Sequence, residues 1–283
     1  MLPCRPADAG CYCLIFLFLY LCQLGSADVP VSSISPQNET AETDPQLAGL
    51  RIFEELDRRN SGYIDMLVGL EMVLISKSGK RRTRGLLLKQ LEQPEQGDMA
   101  LIRFNSPGDI RGIALLSKSN KDKPEDQWLY LPAFKRVKKI ASKNRSSPFA
   151  GSEFSFEDLS VQEVGDFDYR FLTSELFETE HCFIVERIPR DEFSAYSRQR
   201  VWVDQSEYRI RKIEYYNVNG QLVKTLHNRE FVLYNSSIWK PQQMLMQNHM
   251  NHRSTELHWS DYRFANGLSE IRDFSTNSLK RFR

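Results

Sequence analysis

Residues 127–141 read QWLYLPAFKRVKKIA, an apolar half followed by a densely basic one. The first half alternates as a strand, with Trp128 and Tyr130 on one face and Leu129 and Leu131 on the other. Pro132 falls where a ladder donor is dispensable, and Arg136–Ser142 resumes as a second strand. Both faces of the first strand are apolar, so it is either covered on both sides or has one core face and one ligand face. Tryptophan and tyrosine carry polar tips that suit a wet boundary better than a dry core. The expectation is therefore that Trp128 and Tyr130 face a ligand and that Leu129 and Leu131 turn away.

The basic half invites a nucleic-acid reading, which the wider sequence excludes. The chain has 38 Lys and Arg against 37 Asp and Glu, for a net charge of +1. Glu153, Glu157, Asp158, Glu163, Asp166 and Asp168 follow the basic run closely and largely cancel it, leaving no polyanion-binding field. Arg136, Lys138 and Lys139 remain as a solvated face or as docking residues for an anionic headgroup or an acidic partner.

Outward from this stretch the chain is mostly strand. Asp65–Ser76 and Thr83–Glu92 flank the turn Ser78-Gly79-Lys80. Ala100–Asn105 and Gly112–Lys118 follow, separated by Pro107-Gly108-Asp109. Arg200–Val203, Glu207–Asn217 and Gln221–Leu226 surround Asn219-Gly220, a strong hairpin signal. Phe231–Tyr234, Gln242–His249 and Thr255–Phe264 complete the series. Asp44-Pro45 supplies an N-cap and a first-turn proline, and Leu47, Leu50, Phe53 and Leu56 make the stripe of an amphipathic helix ending near Asn60. Ser155–Leu159 and Asp273–Lys280 suggest short helices. The pattern predicts a mainly β (α+β) domain: one large, curved or barrel-like antiparallel sheet.

The N-terminus sets the compartment. Cys11–Leu24 is almost purely apolar, shorter than the ~20 residues of a spanning helix, and Gly25-Ser26-Ala27 supplies small residues for cleavage. This predicts a signal peptide over 1–27, a flexible arm over 28–45, one domain over 46–283, and a soluble exported protein. Arg5 and Asp8 leave together, so the net charge stays +1. Of the 5 cysteines only Cys182 remains, so no internal disulfide is expected.

No catalytic site emerges. There is no G-x-S-x-G elbow, no phosphate-cradling glycine loop and no carboxylate pair that can be named. Cys182 and His181 are adjacent, so on a strand they point apart, which predicts an inert thiol. His249 and His252 fall on opposite faces of a strand, and no ligand set completes them, so neither a metal nor a cofactor is expected. Met244 and Met246 share a face, and methionine suits adaptable apolar surfaces. Trp259 joins them as a cavity candidate.

The segments SPGDIRG (106–112), QWLYLP (127–132), RVKKIA (136–141) and FAGSEFSFEDL (149–159) occur in this order. Together they resemble the outer-membrane lipoprotein-sorting protein family, relatives of the periplasmic carrier LolA, from about Ala48 to the C-terminus. The resemblance implies an incomplete antiparallel β-barrel whose concave face is covered by helices and encloses a hydrophobic cavity. It implies a monomeric, noncatalytic carrier or chaperone, exported across the inner membrane to the periplasm, that shelters a lipid or lipoprotein acyl chain. Its partners would include an inner-membrane transporter of the resistance-nodulation-division type, and the second reading is an adaptor or sensor docking an inner-membrane complex. The lid candidates are the N-terminal helix and the segment carrying Phe149, Phe154 and Phe156, whose rings would plug an empty cavity.

Overall fold

The computed structural model describes residues 44–121 and 123–281; the expected signal peptide lies outside them. β1 (Asp65–Ile75), β2 (Arg81–Leu91), β3 (Met99–Ser106), β4 (Ala114–Lys118), β5 (Asp126–Leu131) and β6 (Arg136–Lys139) meander to one edge of the sheet. The chain then crosses through residues 140–166 and restarts at the far edge with β7 (Phe167–Phe177). β8 (Glu180–Pro189), β9 (Arg198–Asp204), β10 (Ile210–Tyr216), β11 (Leu222–Tyr234), β12 (Ile238–Asn248) and β13 (Arg253–Phe264) meander back until β13 pairs with β1. Among the described residues the 13 strands form one antiparallel sheet in which the edges β6 and β7 do not pair. The result is an open, curved barrel, as the sequence predicts.

One of the expected short helices is absent from the cover. The described residues contain α1 (Pro45–Asn60), the four-residue α2 (Glu270–Asp273) and a few 3-10 turns. The crossing segment has no α-helix. Ser155–Leu159 is instead a turn in which the Ser155 N–H donates to Asp158 Oδ2 at 2.7 Å and the Asp158 N–H donates to Ser155 Oγ at 3.1 Å. A serine and an aspartate exchanging bonds over three residues satisfy the backbone locally and leave helix unnecessary.

α1 starts where its sequence says. Asp44 Oδ1 accepts from the Gln46 N–H at 3.0 Å, and Pro45 opens the first turn. The helix buries Ile52 and Phe53, and the Phe53 ring lies 4.5 Å from that of Tyr169 on β7. Gly49 sets the approach: a Cβ there would sit 2.8 Å from the Phe171 nitrogen and 2.9 Å from Arg170 backbone atoms.

β7 and β8 have no counterpart among the expected strands. Their turn contains Glu178 at φ 55, a left-handed position without the usual Gly or Asn signal. The strands expected at Gln221–Leu226 and Phe231–Tyr234 are one strand, β11.

Alternation along the strands divides the apolar residues between two cores. Val68, Met72, Phe104, Leu115, Met246 and Leu257 face inward and are all at most 1% exposed. Met99, Leu101, Ala114 and Leu116 face outward, where Phe274 and Leu279 of the C-terminal segment cover them.

Candidate functional site

The crossing segment fills one half of the concave side. Phe149 stacks on Phe104 of β3, with centroids 5.5 Å apart, and Phe156 meets Phe149 edge-on at 5.5 Å. Gln127 on β5 points inward and anchors the segment, its Nε2 donating to the Phe156 carbonyl at 2.9 Å. Glu153 fastens the other end. Its carboxylate accepts from Asn248 Nδ2 at 2.7 Å and Asn251 Nδ2 at 3.1 Å, and its N–H donates to Thr255 Oγ1 at 2.9 Å.

The other half of the concave side is not filled. A cavity of about 410 Å³ lies against Leu88, Ile102, Phe154, Leu226, Met244 and Trp259. A second recess of about 290 Å³ adds Leu56, Ile210, Phe231, Trp239 and Pro241. Asn60, Leu88, Gln90, Lys240, Met244 and Trp259 line both, so the two adjoin as neighbouring lobes. Sizes and linings of this kind suit a small ligand held largely by apolar contact.

Asp57, Asp98, Arg187 and Lys240 also line the larger lobe. Burial pushes the Asp98 carboxyl up to about 6, with the nearby Glu163, Glu92 and Asp57 carboxylates adding to the rise. Burial likewise raises Asp57 and lowers the Lys240 ammonium to about 8. Lys240 donates to Asn60 Oδ1 at 2.9 Å and lies 4.8 Å from the centre of the Tyr63 ring. Arg187 on β8 is 4% exposed and lines the same lobe. Its Nε donates to Gln199 Oε1 at 2.9 Å and its Nη2 to Gln162 Oε1 at 3.0 Å, and the guanidinium stacks 4.2 Å from the Phe167 ring. Neutral amides and an aromatic face thus hold this buried cation.

The cavity candidates separate into three groups. Phe154, Met244 and Trp259 line the space. Phe149, Phe156 and Met246 lie in the surrounding core, 1%, 8% and 0% exposed. Trp128 and Tyr130 are on the wrong face for the cavity: they pack outward with the cluster of Leu116 and Phe274, while Leu129 packs inward. The expectation had the two faces of β5 reversed, because the outer cover arrives from the distant C-terminus.

The docking candidates also separate. Arg136 and Lys138 are exposed on the short edge strand β6, paired opposite Leu131 and Leu129. Lys139 lies on the other face, 2.5 Å from Asp126 Oδ1 and 5.7 Å from the Trp128 ring centre. Among the described residues no group of three or more His, Cys, Asp or Glu is placed to hold a metal ion. Cys182 is 0% exposed on the outer face beside Ile184 and Trp202, and burial pushes its thiol up to about 11. Among the described residues no helix is long and apolar enough to cross a membrane. Sequence reasoning missed Arg187 and Lys240; the apolar run Cys182–Val185 was the available sign of the strand that carries Arg187.

A family model described as "Uncharacterized protein" matches residues 96–281. Among solved structures, an outer membrane lipoprotein-sorting protein domain from Vibrio parahaemolyticus is 42% identical. It has a TM-score of 0.81, with 83% of this chain and 100% of that one covered. A DUF1329 family protein from Desulfovibrio piger is 28% identical with a TM-score of 0.79, covering 84% and 100%. A LolA superfamily protein from Nitrosomonas europaea, 19% identical with a TM-score of 0.66 over 81% and 98%, shares the fold. No curated protein matches the chain. The 42% identity across the whole of the Vibrio domain, on the same open barrel, makes this chain a member of the outer-membrane lipoprotein-sorting protein family with a LolA-like fold.

Proposed function

We propose that this protein is a noncatalytic periplasmic carrier that shelters an acyl chain of a lipid or lipoprotein in the two-lobed cavity. The observation that carries this reading is an unfilled space of about 410 Å³ and 290 Å³, more apolar than polar in its lining, beside the aromatic rings of the crossing segment. Each CH₂ group taken from water contributes roughly 0.8 kcal/mol, so a chain of modest length supplies enough affinity without any covalent step. Met244 borders both lobes, and its flexible thioether can yield to an entering chain. The name of the Vibrio relative, a lipoprotein-sorting domain, supports the same cargo class.

The test is native mass spectrometry of protein purified without detergent, together with titration of a fluorescent fatty-acid probe. Co-purified lipid and saturable uptake are expected, and Met244→Trp, which fills the shared space, should weaken uptake at least about tenfold. A protein that stays empty and takes up no probe sinks the reading.

A further inference from the structure

Antiparallel register places six connections at one end of the sheet. Ile75 pairs with Arg81 and Ser254, Asn248 with Lys224 and Arg253, and Tyr216 with Leu222 and Arg198. On the other side of β1, Gly85 pairs with Ser106, Ala114 with Tyr130, and Leu131 with Arg136. The turns after β1, β3, β5, β8, β10 and β12 therefore all emerge at this end.

Four of these connections hold a large apolar side chain out in solvent: Phe134 is 70% exposed, Val218 80%, Met250 60% and Phe193 46%. Single exposed apolar residues are ordinary, but here they recur at the outermost points of one end. Basic side chains stand between them. Lys77, Lys80, Arg82 and Lys135 are exposed, with no carboxylate partner among the described residues. Asp109 and Glu192 are the exposed acids that oppose them on the same connections. The opposite end carries Glu92, Glu95, Asp98, Glu125, Glu178 and Glu207 in its turns against Lys121, Lys123 and Arg209, so it is the more acidic end. A net charge of +1 thus conceals a molecule polarised along its strands.

We propose that the end bearing Phe134, Val218 and Met250 docks on the surface of an anionic lipid bilayer. Apolar tips of this size enter the headgroup region, and the lysines and arginines between them meet the anionic headgroups. The acidic far end then points away from the surface. Docking also reaches the cavity plug, because Asn251 and Arg253, beside Met250, hold Glu153 of the crossing segment at 3.1 and 3.5 Å. This surface is separate from the cavity and requires no cargo.

The experiment is co-sedimentation with vesicles of phosphatidylcholine alone or mixed with phosphatidylglycerol. The protein is used from Asp28 onward, which removes the apolar run 11–24 and keeps the whole described body. Binding to the mixed vesicles, weakened by salt and absent on phosphatidylcholine, is expected. The variant K77E/K80E/R82E/K135E should lose at least about a hundredfold in partitioning, and F134S/V218S/M250S at least about tenfold. All these residues are exposed, and circular dichroism melts should confirm that both variants fold. K121E/K123E, which reverses charges at the other end, should bind as the parent does. Equal binding to both vesicle types, no binding at all, or an equal loss in K121E/K123E overturns the proposal.

Discussion

Phe149 lies on Phe104 with ring centroids 5.5 Å apart and planes 25° from parallel, and the two are 1% and 0% exposed. Phe104 belongs to the sheet, whereas Phe149 opens a 3-10 turn in the segment that crosses from one sheet edge to the other. That segment closes its own bonds, the Phe149 N–H donating to the Phe154 carbonyl at 2.8 Å, and is held to the sheet by buried rings together with the Gln127 and Glu153 bonds. The stack is therefore a core contact that also seats this segment against the sheet.

Phe149→Ala should destabilise the protein by about 3 kcal/mol, the usual cost of deleting a buried phenylalanine ring. It should also raise affinity for a fluorescent fatty-acid probe, because the plug must be displaced for a chain to occupy this half of the barrel. Urea unfolding and probe titration measure the two effects. Lower stability with unchanged probe affinity would make Phe149 a plain core residue.

Gly49→Ala tests how α1 is seated. In an ordinary helix interior this change stabilises by up to about 1 kcal/mol. Here the added methyl would lie 2.8 to 2.9 Å from backbone atoms of Phe171 and Arg170, which cannot swing aside as a side chain can. The expected sign is reversed, with a loss of about 2 kcal/mol in thermal or urea unfolding. A stabilised variant would show that α1 does not rest this closely on β7.

The sheet was far more legible in the sequence than its two coverings. Asn219-Gly220 announced the β10–β11 hairpin, and Asn217 Oδ1 does accept the N–H groups of Asn219 and Gln221 at 3.0 Å each. Asp44-Pro45 announced α1 to the residue. The β7–β8 hairpin was silent because Glu178 occupies a left-handed turn without a glycine. Trp128 and Tyr130 misled because β5 is apolar on both faces, and only a distant contact with Phe274 decides which face is which. Gln127 was the local sign: a buried amide on the same face as Leu129 needs partners, and the crossing segment supplies them.

Glu153 should govern how readily the crossing segment lifts. Its carboxylate gathers the Asn248 and Asn251 amides, with Arg253 at 3.5 Å. Glu153→Ala leaves two amide groups without this acceptor and should cost about 1 to 3 kcal/mol locally. Hydrogen exchange of the Phe149–Phe156 amides should then quicken about tenfold or more, while the β1 and β13 amides change less. Uniform acceleration through the whole sheet would show instead that Glu153 supports global stability alone.

Glu125 predicts a specific pH dependence. Burial pushes its carboxyl from 4.5 up to about 7, against an opposing bond from the Val161 N–H at 3.1 Å and the Arg145 guanidinium 3.9 Å away. The folded state therefore holds this proton more tightly than the unfolded chain does. The stability it contributes is complete below 4.5 and is lost as pH rises through about 7. Glu125→Gln keeps the shape of the neutral acid and cannot ionise, while Arg145 retains its bond to Asp191. Urea unfolding at about pH 4 should find parent and variant alike, and at about pH 8.5 the variant should be more stable by on the order of 2 kcal/mol. A parent as stable as the variant at the higher pH would mean that Glu125 ionises there without cost, and that water or a closer cation reaches a carboxylate that is shielded in this structure.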